Sequence, residues 1–592
     1  MTDSNDTLPS WDLSPFYSSI DAPEVSHEIA SIGAHVLRVS DMIEAQNDLA
    51  TADPGAVDQV LNEFNQLLES THLLGAFIAA TLSVNTADPV AQAKMSEFEQ
   101  QKIAVDQLDL RFTCWVGTLD IAAVRASSEQ AKEHEFVLSK RQTSSQHMMS
   151  AAEEHLAASL TVTGSNAWSK LHSDITSQIV VPFEVDNRHV LLSMSAIRNL
   201  AFDHNAETRL QAYESELKAW KQNAVPLAAA LNGIKGEVLT LSKRRKWSSP
   251  LAQALFGDNI SEDVLDAMMA AARESFPDFR RYLALKSNLL RKNRLGWPDL
   301  FAPVGDAHKP WQWRDAQSFL STTFGAYSPK LQGLADRAFR ERWIDASPGL
   351  GKVGGAYCEG FRREESRILT NFKSSFDGVS TLAHELGHAY HNLCLANRTP
   401  LQQETPMALA ETASIFCETI IRNAALNSTD AAQEVTLLDA SLQGATQVII
   451  DISSRFEFEK EVFSRRAIRE LAAEEFCEIM VQAQESTYGA GLDQNLRHPY
   501  MWAVKGHYYS TQSFYNYPYM FGMLFALGLY HKYQQEPDGF VDEYDRLLSG
   551  TGITDPFELA QRFSIDIKSI DFWRSSLNIV RSEIDRFDQL TS

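Results

Sequence analysis

Two histidines and a glutamate in the run His384-Glu-Leu-Gly-His388 are the residues of this chain whose types and spacing most directly suggest chemistry. Residues four apart share one face of a helix, so the imidazoles of His384 and His388 can reach one metal ion while Glu385 stands beside it. This is the chemistry of a zinc hydrolase. A zinc-bound water has its pKa lowered to about 7, and a neighbouring carboxylate can take its proton as the water attacks a carbonyl polarised by the same ion. The competing reading is a chance pair of histidines on a half-buried helix, and a third ligand would weigh against it.

The surrounding residues must supply that ligand and the helix. Asp377-Gly378 reads as a turn, Ser380 as the N-cap, and Asn397-Arg-Thr-Pro400 as the helix end. A catalytic zinc takes three protein ligands and keeps one open position. His391 shares the face of His384 but lies roughly 10 Å along the axis at about 1.5 Å per residue, so it reads as a packing or outer residue. Downstream, Thr405-Pro406 opens a second predicted helix running to about Asn427, with Glu411 and Glu418 on one face among Ala, Ile and Phe. A carboxylate in that setting is costly unless paired or metal-bound. Glu411 is therefore the expected third ligand, with Glu404 a weaker competitor, and Glu418 the expected partner that orients a ligating imidazole. The plainer reading of either glutamate is a solvated helix residue.

Further along, Gly506 to Tyr519 holds His507 and five tyrosines in fourteen residues. Their donors could stabilise the oxyanion formed when water adds to a peptide carbonyl, or could form an aromatic packing cluster. Upstream, Gly351 to Gly360 is glycine-rich, and Gly354 and Gly355 would let backbones approach closely. Arg367-Ile-Leu-Thr-Asn-Phe372 has strand character. As an exposed edge it would bind a peptide through backbone hydrogen bonds; otherwise it is part of a structural hairpin.

The interval typical of thermolysin-like enzymes would put the glutamate ligand at Met407 or Ala408, and neither can ligate zinc. A longer interval to Ala410-Glu-Thr-Ala-Ser414 resembles the thimet oligopeptidase and oligoendopeptidase F family of zinc metallopeptidases. Other segments stand in the order of its oligoendopeptidase F branch: Trp11-Asp-Leu-Ser, Thr163-Gly-Ser-Asn-Ala-Trp168, Ala254-Leu-Phe-Gly-Asp-Asn-Ile260, Gly354-Gly-Ala-Tyr-Cys358 and Leu369-Thr-Asn-Phe372, then the metal motif, then His507 with its tyrosines. The likeness extends over roughly residues 10 to 580. It implies a mainly α fold, a two-lobed helical zincin with a deep substrate channel and a small edge sheet next to the metal helix. It also implies one zinc ion per chain, oligopeptide substrates, a substrate-lining strand near Gly354 and Gly355, and oxyanion stabilisation by His507 and Tyr519. The segment lacks the paired glycines of the thimet oligopeptidase loop, so Tyr515 and Tyr517 stay open as substrate-binding alternatives to Tyr519.

Composition bounds the rest. The chain has 592 residues, 44% hydrophobic and 22% charged, with a formal net charge of −24. That charge argues against a nucleic-acid partner, and the basic run Lys243-Arg-Arg-Lys246 reads as a solvated helix end. Five scattered cysteines fit reduced thiols, no export signal is read at Met1-Thr-Asp-Ser, and the apolar run Met520 to Tyr530 is too short to span a bilayer, so a cytoplasmic protein without a membrane anchor is expected. Helical periodicity covers Val57–Leu68, Pro89–Leu108, Glu207–Leu241, Glu262–Leu290 and Ala431–Ala472. A hairpin with its turn at Asp186-Asn187 marks the expected boundary between an N-terminal helical domain, 1–195, and a catalytic domain, 196–592. The expected function is zinc-dependent cleavage of internal bonds in short unfolded oligopeptides. A carboxypeptidase-type enzyme on the same scaffold and a non-catalytic peptide-binding protein are the alternatives.

Overall fold

Apolar residues recurring every three to four positions bury one stripe of each long helix, and helices built this way make up most of the protein. The computed structural model describes residues 8–47, 54–185, 188–305 and 310–592. Four expected helices appear as Pro54–Val84, Pro89–Val116, Ala206–Arg244 and Glu262–Leu289. Their starts follow from capping: Asp88 accepts from the backbone of Val90 and Ala91 ahead of a helix whose first residue is Pro89, and Asn205 does the same for Glu207 and Thr208. The expected long helix from Ala431 runs to Thr446, passes through a π-helical turn at Gln447–Asp451, and continues as Ile452–Arg466.

The chain divides into two units, each drawn from non-adjacent segments. The first comprises Met1–His147, Lys309–Ala425 and Lys532–Ser564; the second comprises Met148–His308, Leu426–His531 and Ile565–Ser592. The boundary expected after residue 195 falls inside the second unit.

In the first unit, the helix Pro54–Val84 supplies Val57, Leu61, Phe64, Phe77 and Ile78 to a core shared with Phe112, Trp115, Phe361 and Leu369. This helix is long and apolar enough to cross a membrane by composition, and here its apolar stripe is the centre of the unit's core. A three-stranded sheet lies in the same unit. Its central strand, Glu365–Leu369, pairs in parallel with Ile344–Asp345 and antiparallel with Tyr357–Arg362, with an irregularity between Gly360 and Arg362. The segment expected as the edge is therefore central, and Tyr357–Arg362 is the edge. Burial explains the difference: four successive residues, Ser366 to Leu369, are buried, the continuous pattern of a strand covered on both faces.

The second unit contains the expected hairpin, Val180–Val185 against Arg188–Ser193; its proposed turn residues, Asp186 and Asn187, lie outside the described residues. Its core gathers Trp220, Leu227, Leu231 and Ile234 from one long helix with Phe458, Phe476, Trp502, Tyr508 and Tyr509.

Candidate metallopeptidase active site

The metal motif sits in mid-helix, in Phe376–Leu395. Ser375, not Ser380, is the N-cap, its Oγ accepting from Gly378 N at 3.3 Å. Asp377, read as part of a turn, instead places its charge in the first helical turn, where the helix dipole favours it. The second helix also differs from expectation. It breaks at Glu411, between Met407–Ala410 and Thr412–Leu426, and Ile415 N donates back to Glu411 O at 3.1 Å.

Glu411 faces the motif from this break. His384 Nε2 and His388 Nε2 are 3.1 Å apart, and Glu411 Oε2 is 3.3 Å from the first and 3.5 Å from the second. A tetrahedron with metal–ligand distances of about 2.0–2.1 Å has edges of roughly 3.3–3.4 Å, so the three atoms fit a zinc-sized ion. Two nitrogens and a carboxylate oxygen are also a donor set that zinc accepts. The other ring nitrogen of His384, Nδ1, hydrogen-bonds Glu418, which keeps a proton on Nδ1 and leaves Nε2 as the nitrogen that faces the space shared with His388 and Glu411. His391 lies outside the triangle, buried, with its Nε2 2.9 Å from Thr551 Oγ1. Glu404 is held by Arg141 at 2.9 Å.

The electrostatics describe a site built for a cation. Burial disfavours charge on His384, but the Glu418 hydrogen bond and the charges of Glu418, Glu411 and Glu385 outweigh it and raise the pKa to about 9. Burial and then the His384 charge lower His388 to about 4. Glu385 is 5% exposed, and burial pushes its carboxyl up to about 7, with His384 opposing and Glu411 and Glu418 adding to the rise. Its Oε2 is buried without a hydrogen-bond partner among the described residues, an arrangement that persists in folded proteins when the group serves a ligand.

Two supporting residues were not singled out from the sequence. Ser414 Oγ donates to Glu411 Oε2 at 2.8 Å, a contact whose signal is the i,i+3 spacing across the helix start. Gly387, between the two histidines, packs against the backbone of Ala413 and Ser414; a Cβ there would lie 2.6 Å from both Ala413 O and Ser414 Cα. Its absence of a side chain sets the separation of the two ligand-bearing helices. A cavity of about 760 Å³ opens beside His388, lined on one wall by Cys358, Glu359 and Gly360 of the edge strand and on another by Asn62, Gln66 and Glu69.

Gly354 and Gly355 lie in the exposed loop before that strand, and a Cβ at either would meet nothing within 4 Å. The expected close backbone approach has no counterpart within the chain. Gly355 is needed because its φ is 83°, and Asn371 Nδ2 ties the loop down by donating to Val353 O at 2.9 Å and Gly355 O at 3.0 Å. His507, Tyr515, Tyr517 and Tyr519 belong to the second unit. Tyr517 is 1% exposed and its hydroxyl donates to Asp258 Oδ2 at 2.7 Å, so it is a core residue with no surface to offer a peptide. Tyr515 and Tyr519 stay partly exposed.

A helix-borne His-His-Glu triangle with a buried carboxylate beside it defines a metallopeptidase, and comparison with known proteins agrees. Residues 328–579 match the model of peptidase family M3, and residues 119–180 match that of oligopeptidase F. An oligoendopeptidase F homolog of Lactococcus lactis is 23% identical over 482 residues, covering 80% of this chain and 78% of that protein. Among solved structures, a protein of Chlamydophila abortus designated a peptidase superposes with a TM-score of 0.82 at 18% identity, covering 98% of both chains. Oligoendopeptidase F of Enterococcus faecium gives 0.71 at 17% identity, over 96% of this chain and 98% of its own. The chain belongs to peptidase family M3, in its oligoendopeptidase F branch, and is a metallopeptidase acting on oligopeptides.

Proposed function

We propose that this protein is a zinc-dependent endopeptidase that hydrolyses internal bonds of short, unfolded oligopeptides in the cytoplasm. The observation that carries the reading is the triangle of His384 Nε2, His388 Nε2 and Glu411 Oε2, with edges of 3.1, 3.3 and 3.5 Å, beside the unpartnered buried carboxylate of Glu385. His384, His388 and Glu411 would hold the ion. When bound, zinc supplies Lewis acidity that polarises a carbonyl and acidifies water. Glu385 takes the proton from the attacking water and delivers it to the leaving nitrogen, a task for which a buried carboxylate with an unpartnered oxygen beside the ligand triangle is placed. Glu418 keeps the proton of His384 on Nδ1, and Ser414 holds the Glu411 carboxylate in place.

The edge strand Tyr357–Arg362, with the cavity beside it, suits an extended peptide bound through its backbone, which gives affinity without demanding one side chain. Placement in the cytoplasm is supported by five cysteines that form no disulfide among the described residues, and the role of Tyr519 at the oxyanion by the family resemblance.

Mass spectrometry of a mixed-length peptide pool, beside a Glu385→Gln control, tests the reading. Internal cuts by the wild type, reduced in the variant by on the order of 10²–10⁴, are expected. Loss of C-terminal units alone would overturn the endopeptidase assignment, and equal turnover by the variant would remove Glu385 from the mechanism.

A further inference from the structure

The core helix Pro54–Val84 has a second face. Its apolar stripe fills the first unit's core, while Asn62, Gln66 and Glu69, spaced four and three residues apart, form an exposed polar stripe that lines the cavity beside His388. The next residue of that stripe, three further on, is His72. Its Nε2 lies 2.8 Å from Gly360 O, on the edge strand Tyr357–Arg362, and 3.6 Å from Glu359 Oε1 of the same strand. A carbonyl only accepts, so this ring nitrogen carries the hydrogen. His72, the edge strand and the metal triangle all belong to the first unit.

That contact takes a group that a paired peptide would need. The central strand Glu365–Leu369 covers one side of Tyr357–Arg362, and a peptide joining the other side does so by exchanging N–H and C=O groups with the strand's backbone. His72 reaches the Gly360 carbonyl from outside the sheet, on a helix whose position is fixed by Leu61, Phe64 and Phe77 in the core. Gly360 is held from the metal-bearing helix as well: a Cβ on it would lie 3.3 Å from Asn392 Nδ2, and that amide donates to Ser366 Oγ at 3.1 Å. The next residue, Phe361, turns into the core, 5% exposed and with its ring 4.5 Å from that of Phe16. The stretch left for pairing, Tyr357 to Gly360, spans roughly 10 Å at about 3.4 Å per residue, the length of about three peptide residues.

We infer that His72 is a specificity-determining residue: by occupying the Gly360 carbonyl it ends the edge on which a peptide pairs, so that on one side of the scissile bond the protein holds a short, fixed run of substrate residues through their backbone. Residues beyond that run meet the polar wall of the cavity instead, where no backbone pairing adds to affinity. The inference rests on the endopeptidase reading, which puts the substrate on this edge.

A series of peptides with one cleavable bond, lengthened one residue at a time at either end, tests it on the zinc-loaded protein. The quantity read is the ratio of kcat/KM between successive lengths. In the wild type the ratio should fall to about one after the first few residues on one side of the bond. In His72→Ala the carbonyl is free, and the next residue on that side should raise kcat/KM by about three- to tenfold, the worth of one backbone hydrogen bond. His72→Gln, whose amide still donates, should return the ratio toward the wild-type value. The same plateau in His72→Ala as in the wild type, or ratios that rise equally on both sides, would overturn the proposal. A second measurement is independent of turnover: calorimetric Kd values of the same peptides for Glu385→Gln, with and without His72→Ala, should show the plateau and its release. Identical length dependence in the two Kd series would reject the inference even if cleavage is found. Absence of cleavage by the wild type, in contrast, would overturn the endopeptidase reading, while the Kd series would still decide whether His72 ends the edge.

Discussion

Gly387→Ala is the smallest perturbation that reaches the metal triangle without touching a ligand. The added Cβ would lie 2.6 Å from Ala413 O and Ser414 Cα and 2.9 Å from Ala413 C, all backbone atoms that no rotamer change can move aside. Ordinary contact begins near 3.4 Å, so the helices Phe376–Leu395 and Thr412–Leu426 must part locally by roughly 0.8 Å. Ser414 is itself one of the displaced residues and holds Glu411 Oε2 at 2.8 Å, so the carboxylate moves with it. Metal sites tolerate departures of about 0.2 Å in ligand distance, and the expected displacement is several times that. Zinc affinity should fall by at least about tenfold, and overpacking should cost about 1–3 kcal/mol of stability, partly offset by the gain of about 1 kcal/mol when alanine replaces a helical glycine. A competition titration against a chromophoric chelator reads the affinity, and denaturant unfolding reads the stability. Gly333→Ala is the control, because a Cβ there meets nothing within 4 Å in an ordinary helical setting, and it should be neutral or mildly stabilising. Wild-type zinc affinity and kcat/KM in Gly387→Ala would refute the claim that this helix contact sets the triangle.

Three further outcomes follow from the same geometry. Glu418→Gln removes the charge that holds His384 Nδ1 and should weaken zinc binding by about 10–100-fold, measured by the same titration; unchanged affinity would reduce Glu418 to a bystander. Stripping the metal with a chelator should abolish cleavage, and zinc at about 100 times its Kd should restore it and stabilise the fold by roughly 2.7 kcal/mol, seen as a rise in Tm. In the second unit, burial works against the charge of Glu216, but His498, Arg198 and Trp220 reverse this and bring its pKa to about 2. A depressed carboxylate contributes stability above its unfolded pKa and loses it as pH falls through the folded one. About 3 kcal/mol, at 1.36 kcal/mol per unit, should therefore disappear between about pH 4.5 and pH 2. Denaturant midpoints across that window should fall less steeply in Glu216→Gln, and parallel curves would exclude this group as a source of acid lability.

The long helices and the metal set were legible because both depend on local spacing: a stripe of apolar residues every three to four positions, and two histidines one turn apart. Glu411 was legible because a carboxylate among Ala, Ile and Phe has to have a partner. What the spacing hides is long-range. Arg367 to Phe372 read as a possible edge because strand propensity is the same for edge and centre, and which it is depends on Ile344 and Tyr357 arriving on either side. Tyr517 read as one of three similar tyrosines, and only the arrival of Asp258 at its hydroxyl marks it as core. Gly387 carries no pattern of its own, since its function belongs to the Ala413 backbone across from it.

The break at Glu411 is the hardest of these to foresee and the most consequential. Met407 to Ser414 contains no glycine or proline, so propensity continues the helix through it. In the structure Glu411 is instead the residue at which a new helix starts, its carbonyl accepting from Ile415 N. A helix start concentrates partial positive charge, which favours an anionic group there. Glu411 thus presents its carboxylate to the two histidines from a position whose own backbone stabilises negative charge, whereas Glu418, two turns further on, takes up the opposite edge of the His384 ring. One helix in this way grips a single imidazole from both sides, the first glutamate at the metal-facing nitrogen and the second at the nitrogen that must keep its proton.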